Sequence, residues 1–223
     1  LPSKNLIKEL NISFPMGDCN GARYLPQNPD IIAAASSNGS IYVFDRTKHG
    51  STRQKLHDGG SMFELEFQSS SLEEHQEVVS LAWNWQREGL LAACYSGGDV
   101  KVWDVKKYSR NFPVIDKADY THKTDPRGCN DVSWMVNHAS ILACCGESNS
   151  INVIDTRAQK GVLSSTKDTK HHSGGINSSQ FNYHNDMLLC SGDSTGRVNL
   201  WDIRDLDTPL KSLDHGSSIS KIQ

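Results

Sequence analysis

Apolar residues fall in short runs along this chain. Each run leads through a polar turn into a strand where apolar and polar positions alternate. Four segments carry the pattern: IIAAASSNGSIYVFD (31–45), LLAACYSGGDVKVWD (90–104), ILACCGESNSINVID (141–155) and LLCSGDSTGRVNLWD (188–202). Each reads as a strand of small and apolar residues, a turn rich in Gly, Ser and Asn, and an alternating strand closing on Asp. The closing residues Asp45, Asp104, Asp155 and Asp202 recur 47–59 residues apart. Upstream of each lies a further strand, in NGARYLPQNP, VVSLAWNWQREG, CNDVSWMVNHAS and INSSQFNYHND, and His75, His122 and His172 precede the last three. A repeat of this period predicts units of about four short strands. One such unit cannot bury both faces, but a ring of them buries each against its neighbours and leaves only short, protected edges.

The predicted fold is therefore all-β: a β-propeller with about four and a half blades in residues 1–223, read as one partial domain. Blades are expected to end near 45, 104, 155 and 202, with the start of a further blade in 210–223. Four and a half blades cannot close a ring, so further blades are expected in the full protein. On the third strands, Phe44, Trp103, Ile154 and Trp201 are expected to pack between blades, and buried indole N–H groups to find acceptors.

Charge and composition narrow the function. The formal net charge is −3, which gives no general basic field for wrapping nucleic acid. The local basic tract KDTKHHSG offers at most a weak, salt-sensitive contact to DNA or an acidic tail. The charged segment SSSLEEHQE reads as a solvated loop, with a docking edge as the alternative. No apolar run approaches the roughly 18 residues of a membrane-spanning helix, and LPSKNLIKEL does not read as a signal peptide. Of six cysteines, Cys94, Cys144, Cys145 and Cys190 sit in apolar runs. They are expected to be free thiols on inner strands, with adjacent Cys144 and Cys145 facing opposite ways. No CxxC or Cys/His zinc spacing occurs, and the once-per-blade histidines read as structural, so no metal is expected. RGCND around Cys129 comes with no arguable base or oxyanion site, and YSGGDVK is a turn, not a nucleotide loop. No enzyme activity and no cofactor are expected.

One stretch is more specific. NGARYLPQNPDIIAAASSNGSIYVFDRTKHGS, above all ARYLPQNP followed by VFDRTKH, strongly resembles the histone-binding WD-repeat family of retinoblastoma-binding and Msi-like histone chaperones. CNDVSW and LWDIRDL add support. The resemblance runs from about residue 10 to the end and is nearest to the fungal small subunits of chromatin assembly factor 1. It implies a WD-repeat propeller of seven blades without an active site, nuclear and also cytoplasmic. The implied partners are histones H3 and H4 and the large and middle subunits of chromatin assembly factor 1, with DNA met only indirectly and no membrane.

The resemblance also implies that the histone H3 tail is taken at one mouth of the channel. The matching positions are Asp18, Asn20, Arg23, Glu77, Asn130, Glu147 and Asn177. Val79 and Ser220 stand where the family has aromatics, and Asn130 where it tends to have a carboxylate. The histone H4 helix groove is built from elements not among these residues. WD repeats also carry a His–Ser/Thr–Asp–Trp hydrogen-bonded set. Here the last blade keeps His172, Ser191 and Trp201, but Thr195 stands where Asp is usual, and Asn38, Gly97 and Ser148 hold that place elsewhere. Packing is therefore expected to dominate over polar networks. Three rival functions remain. They are a subunit of a histone acetyltransferase or other chromatin-modifying complex, a general adaptor for basic peptides in a ubiquitin ligase or checkpoint complex, and an enzyme using the channel.

Overall fold

The computed structural model describes residue 12 and residues 15–49, 63–68, 76–108, 114–158, 161–166 and 169–222. Among the described residues, seventeen strands form four sheets. The first holds β1 (Cys19–Leu25), β2 (Asn28–Ser36), β3 (Ile41–Asp45) and β4 (Leu65–Phe67). β5 (Val78–Trp83), β6 (Leu90–Tyr95) and β7 (Asp99–Asp104) begin the second sheet. β8 (Val114–Ile115) adds to β4 in parallel, and β9 (Tyr120–Lys123) completes the second sheet. The third is β10 (Cys129–Trp134), β11 (Ile141–Gly146), β12 (Ile151–Asp155) and β13 (Val162–Ser165). The fourth is β14 (Ile176–Phe181), β15 (Leu188–Asp193), β16 (Arg197–Asp202) and β17 (Lys211–Asp214). All other pairings are antiparallel between consecutive strands of each sheet.

The repeat's residues explain the local geometry. The turn between second and third strands needs a left-handed residue at one place, filled by Gly39, Gly98 and Gly196 with φ of 89°, 90° and 103°. The third blade uses Asn149 there (φ 59°), the side chain that tolerates this region best, and its amide donates to His172 O at 3.2 Å. The closing Asp of each unit caps the chain where it leaves the third strand. Asp45, Asp104, Asp155 and Asp202 each accept the backbone N–H two residues on, at 3.0–3.2 Å.

Three apolar layers lie between successive blades. Phe67, Tyr95 and Trp103 fill the first, Val102, Trp134, Leu142 and Cys144 the second, and Cys145, Ile151, Phe181 and Trp201 the third. Cys144 and Cys145 thus face opposite layers. All six cysteines are free. Cys94, Cys144, Cys145 and Cys190 lie on the second strands β6, β11 and β15 rather than on the innermost ones.

The blades also differ from the sequence expectation. Each sheet takes its outer strand from beyond the closing Asp, so Lys211–Asp214 completes the fourth sheet instead of starting another. The fourth blade keeps a complete polar set, because Asp193 replaces the expected aspartate from two residues earlier. His172 Nδ1 lies 3.0 Å from Asp193, His172 Nε2 lies 2.7 Å from Ser191 Oγ, and Trp201 donates to the same hydroxyl at 2.7 Å. Thr195 supports the carboxylate at 2.7 Å. In the second blade Ala93 and Tyr95 occupy the places of Ser191 and Asp193, and the buried Trp103 N–H has no acceptor among the described residues. The third blade has its own node, where Asp125 accepts Ser148 Oγ at 2.5 Å and Ser148 N at 2.9 Å. His122 lies on the outer strand β9 stacked on Tyr120, and His75 lies outside the described residues.

Candidate functional site: one mouth of the channel

The first strands of the blades are the innermost: β1 lies against β5, β5 against β10, and β10 against β14. Each carries a β-bulge at its second residue, shown by register shifts at Asn20, Val79, Asn130 and Asn177. A bulge leaves one residue outside the ladder and re-aims its side chain. Here Asn20, Val79, Asn130 and Asn177 come to line one cavity of about 350 Å³, with Arg23, Ser80, Asp131, Ser220 and Lys221 also in its wall.

The bulge asparagines stitch the ring. Asn20 Nδ2 donates to Val78 O at 2.9 Å, Asn130 Nδ2 to Ile176 O at 3.2 Å, and Asn177 Nδ2 to Ile219 O at 2.8 Å. The first two reach the start of the next blade's inner strand and the third reaches the segment after β17, and Val79 interrupts the series. At the other end of the inner strands the stitching runs backward. Trp83 Nε1 donates to Arg23 O at 2.9 Å, and Trp134 Nε1 to Ala82 O at 3.0 Å.

Carboxylates join the amides at the mouth. Asn130 also donates to Glu147 Oε1 at 2.8 Å, and Asn20 approaches Glu77 Oε2 at 3.4 Å. Glu77, Asp18 and Glu147 are exposed. Glu77 and Asp18 each precede an inner strand, whereas Glu147 comes from the β11–β12 turn and reaches over Gly175. Asp18 is held by its own N–H on Ser37 Oγ at 2.8 Å. Asn20 and Asn130 spend their N–H groups on a carbonyl and a neighbouring carboxylate, and Asn177 spends one on a carbonyl, which leaves the amide oxygens as acceptors. Together with Glu77 and Glu147 they make a rim of acceptors. Arg23 sits deeper, its guanidinium on Ala22 O at 2.9 Å.

Sequence reasoning missed the centre of this wall. Asp131 is buried, its side chain 1% exposed. It accepts Ser80 Oγ at 2.8 Å, Ser178 Oγ at 2.7 Å, Ser179 N at 3.1 Å and Lys221 Nζ at 2.6 Å. One carboxylate therefore ties together the second, third and fourth blades and the segment that follows. Its place beside Asn130 in CNDVSW was the only available signal. Among the described residues, no group of His, Cys, Asp and Glu is arranged to hold a metal.

A WD domain, G-beta repeat, model matches residues 67–104 and 163–202. The chain is 46% identical, over its whole length, to a protein named Histone-binding protein MSI1 from Saccharomyces cerevisiae, covering 55% of it. The chain thus carries WD repeats and is similar to this Msi1 protein along its whole length. A chain of the crystal structure of the mitotic checkpoint complex superposes on 90% of it with a TM-score of 0.64 at 16% identity, which speaks for the propeller fold alone. The chain spans about half the length of these matches (55% and 52%).

Proposed function

We propose that this Msi-like chain is part of a non-enzymatic histone-binding scaffold, a chaperone subunit that carries histones H3 and H4. In this reading it serves chromatin assembly factor 1 in the nucleus, beside that complex's large and middle subunits, and delivers histones to DNA during replication-coupled nucleosome assembly. The observation that carries the reading is the 46% identity, along the entire chain, to a histone-binding protein. The mouth supplies matching chemistry. Acceptors from Asn20, Glu77, Asn130, Glu147 and Asn177, with Asp18 nearby, suit the donor-rich, cationic tail of histone H3.

The test is affinity purification of the tagged full-length protein from nuclear extract with identification of its co-purifying subunits. A histone pull-down against an unrelated basic protein at moderate salt runs beside it. Recovery of H3–H4 with the assembly-factor subunits is expected. Recovery with an acetyltransferase instead would move the protein to a modifying complex, and equal retention of the unrelated protein would make it a general basic-peptide adaptor.

A further inference from the structure

The opposite end of the inner strands has different chemistry. A second cavity of about 340 Å³ opens there, and no carboxylate is among its lining residues. Three aromatic rings from three blades surround it and stand well out in solvent: Tyr24 (64% exposed), Trp85 (49%) and Tyr183 (48%). Trp85 and Tyr183 meet edge to face, with centroids 6.2 Å apart. Arg23, Ser133, Gln180 and Lys221 supply the polar part of the wall. Lys221 is paired with Asp131, but Arg23 has no carboxylate partner among the described residues.

The loops bearing these rings are joined to one another. Gln27 Nε2 donates to Asn84 O at 3.0 Å and Trp85 O at 2.8 Å. Gln86 Nε2 reaches Val136 O at 3.2 Å, and Asn137 Nδ2 reaches Asp186 at 3.1 Å. Asn84 holds its own loop through Gln86 N at 2.9 Å and Arg87 N at 2.7 Å. The rings are thus exposed on a preorganised platform. Exposed Trp and Tyr side chains on a rigid surface are the composition that anchors protein partners, since they bury much area for little lost entropy.

We propose that this platform docks an acidic peptide segment carrying aromatic or aliphatic side chains. Its apolar side chains would lie against Trp85, Tyr183 and Tyr24, and its carboxylate would pair with Arg23, whose planar guanidinium takes a carboxylate in bidentate fashion. Arg23 lies in the wall of both cavities, and the two ends then select opposite charge: acceptors at the asparagine rim for a basic tail, aromatics together with Arg23 for an acidic segment. The proposal stands apart from the histone reading.

The experiment is fluorescence polarisation with full-length protein and a fluorescein-labelled peptide of interleaved Asp and Phe, beside its Lys-for-Asp counterpart. The acidic peptide is expected to bind at least about tenfold tighter than the basic one. Trp85→Ala and Tyr183→Ala should each weaken it by about tenfold, and Arg23→Glu should remove the preference for acid. Circular dichroism and unchanged histone H3 tail binding by Trp85→Ala and Tyr183→Ala show that these variants remain folded. No binding of the acidic peptide, a preference for the basic one, or binding indifferent to all three substitutions would overturn the proposal. Loss of histone binding with acidic-peptide binding intact would count against the histone reading alone.

Discussion

Replacing Asp131 by Ala should loosen the ring more than any other single change to a polar residue in this wall. The carboxylate is the shared acceptor for two serine hydroxyls, one backbone N–H and one ammonium, and its side chain is 1% exposed. A hydrogen bond to a charged group is worth about 1.5–3 kcal/mol, and a buried donor left unmatched costs about 1–3 kcal/mol. The terms are smaller than their sum. Ser80 and Ser178 can rotate toward other acceptors, and the Lys221 side chain, 34% exposed, regains water once freed. The net cost expected for Asp131→Ala is therefore about 3–5 kcal/mol, the range for breaking a buried pair by removing one partner. Asp131→Asn keeps the volume and one acceptor oxygen, and should cost about 1–3 kcal/mol. Lys221→Ala should cost less than Asp131→Ala, because the carboxylate keeps three donors. Urea unfolding of the full-length protein reads all three as midpoint shifts at constant slope. An Asp131→Ala effect below about 1 kcal/mol, or one no larger than that of Lys221→Ala, would refute the hub.

Three further outcomes are expected. Trp103→Ala and Trp201→Ala should each cost about 3–5 kcal/mol. Trp201→Phe should cost about 1 kcal/mol more than Trp103→Phe in the same unfolding assay, because among the described residues only the Trp201 N–H of the two has an acceptor to lose. The fourth blade should weaken in acid. Burial pushes His172 below its ordinary value, and Asp193 is held at about 2, where burial, which would raise it, is outweighed by bonds from Thr195, the Arg197 N–H and His172. Both folded values lie below the unfolded ones, so the stabilisation is complete above about pH 6.5. It falls as His172 takes a proton, and again from about pH 4 toward 2 as Asp193 does. Thermal melts should show this, and His172→Gln should flatten the first phase, so an unchanged slope would contradict it. Finally, iodoacetamide should label exposed Cys19 rapidly in the native protein. Cys94 and Cys145 should stay protected, since burial raises both thiols, and mass spectrometry of native labelling checks this.

What the sequence made legible was local and repeated. Small apolar runs, left-handed turn residues and closing aspartates recur in register, so blade order, the buried Trp103 and Trp201, and the opposed Cys144 and Cys145 follow from periodicity. What it hid depends on contacts between distant blades. Asp131 is recognisable only beside Ser80, Ser178 and Lys221, which lie 51, 47 and 90 residues away. Asp193 took the place expected of Thr195 because the β15 strand end, not the turn, faces His172. The unmatched Trp103 N–H follows from Ala93 and Tyr95, whose meaning needs the strand register. At the mouth, the asparagines were legible as a recurring position, but the bulges that re-aim them were not.

The central claim is that the rim of acceptors receives the tail of histone H3. Isothermal titration calorimetry of the full-length protein with an H3 N-terminal tail peptide, at low and moderate salt, tests it most directly. Binding is expected to weaken as salt rises, since Glu77 and Asp18 are exposed. Glu77→Lys or Asp18→Lys should reduce affinity by about 1–3 kcal/mol, on the order of ten- to a hundredfold. No detectable wild-type binding at low salt, or reversal variants that bind like the wild type, would contradict the account.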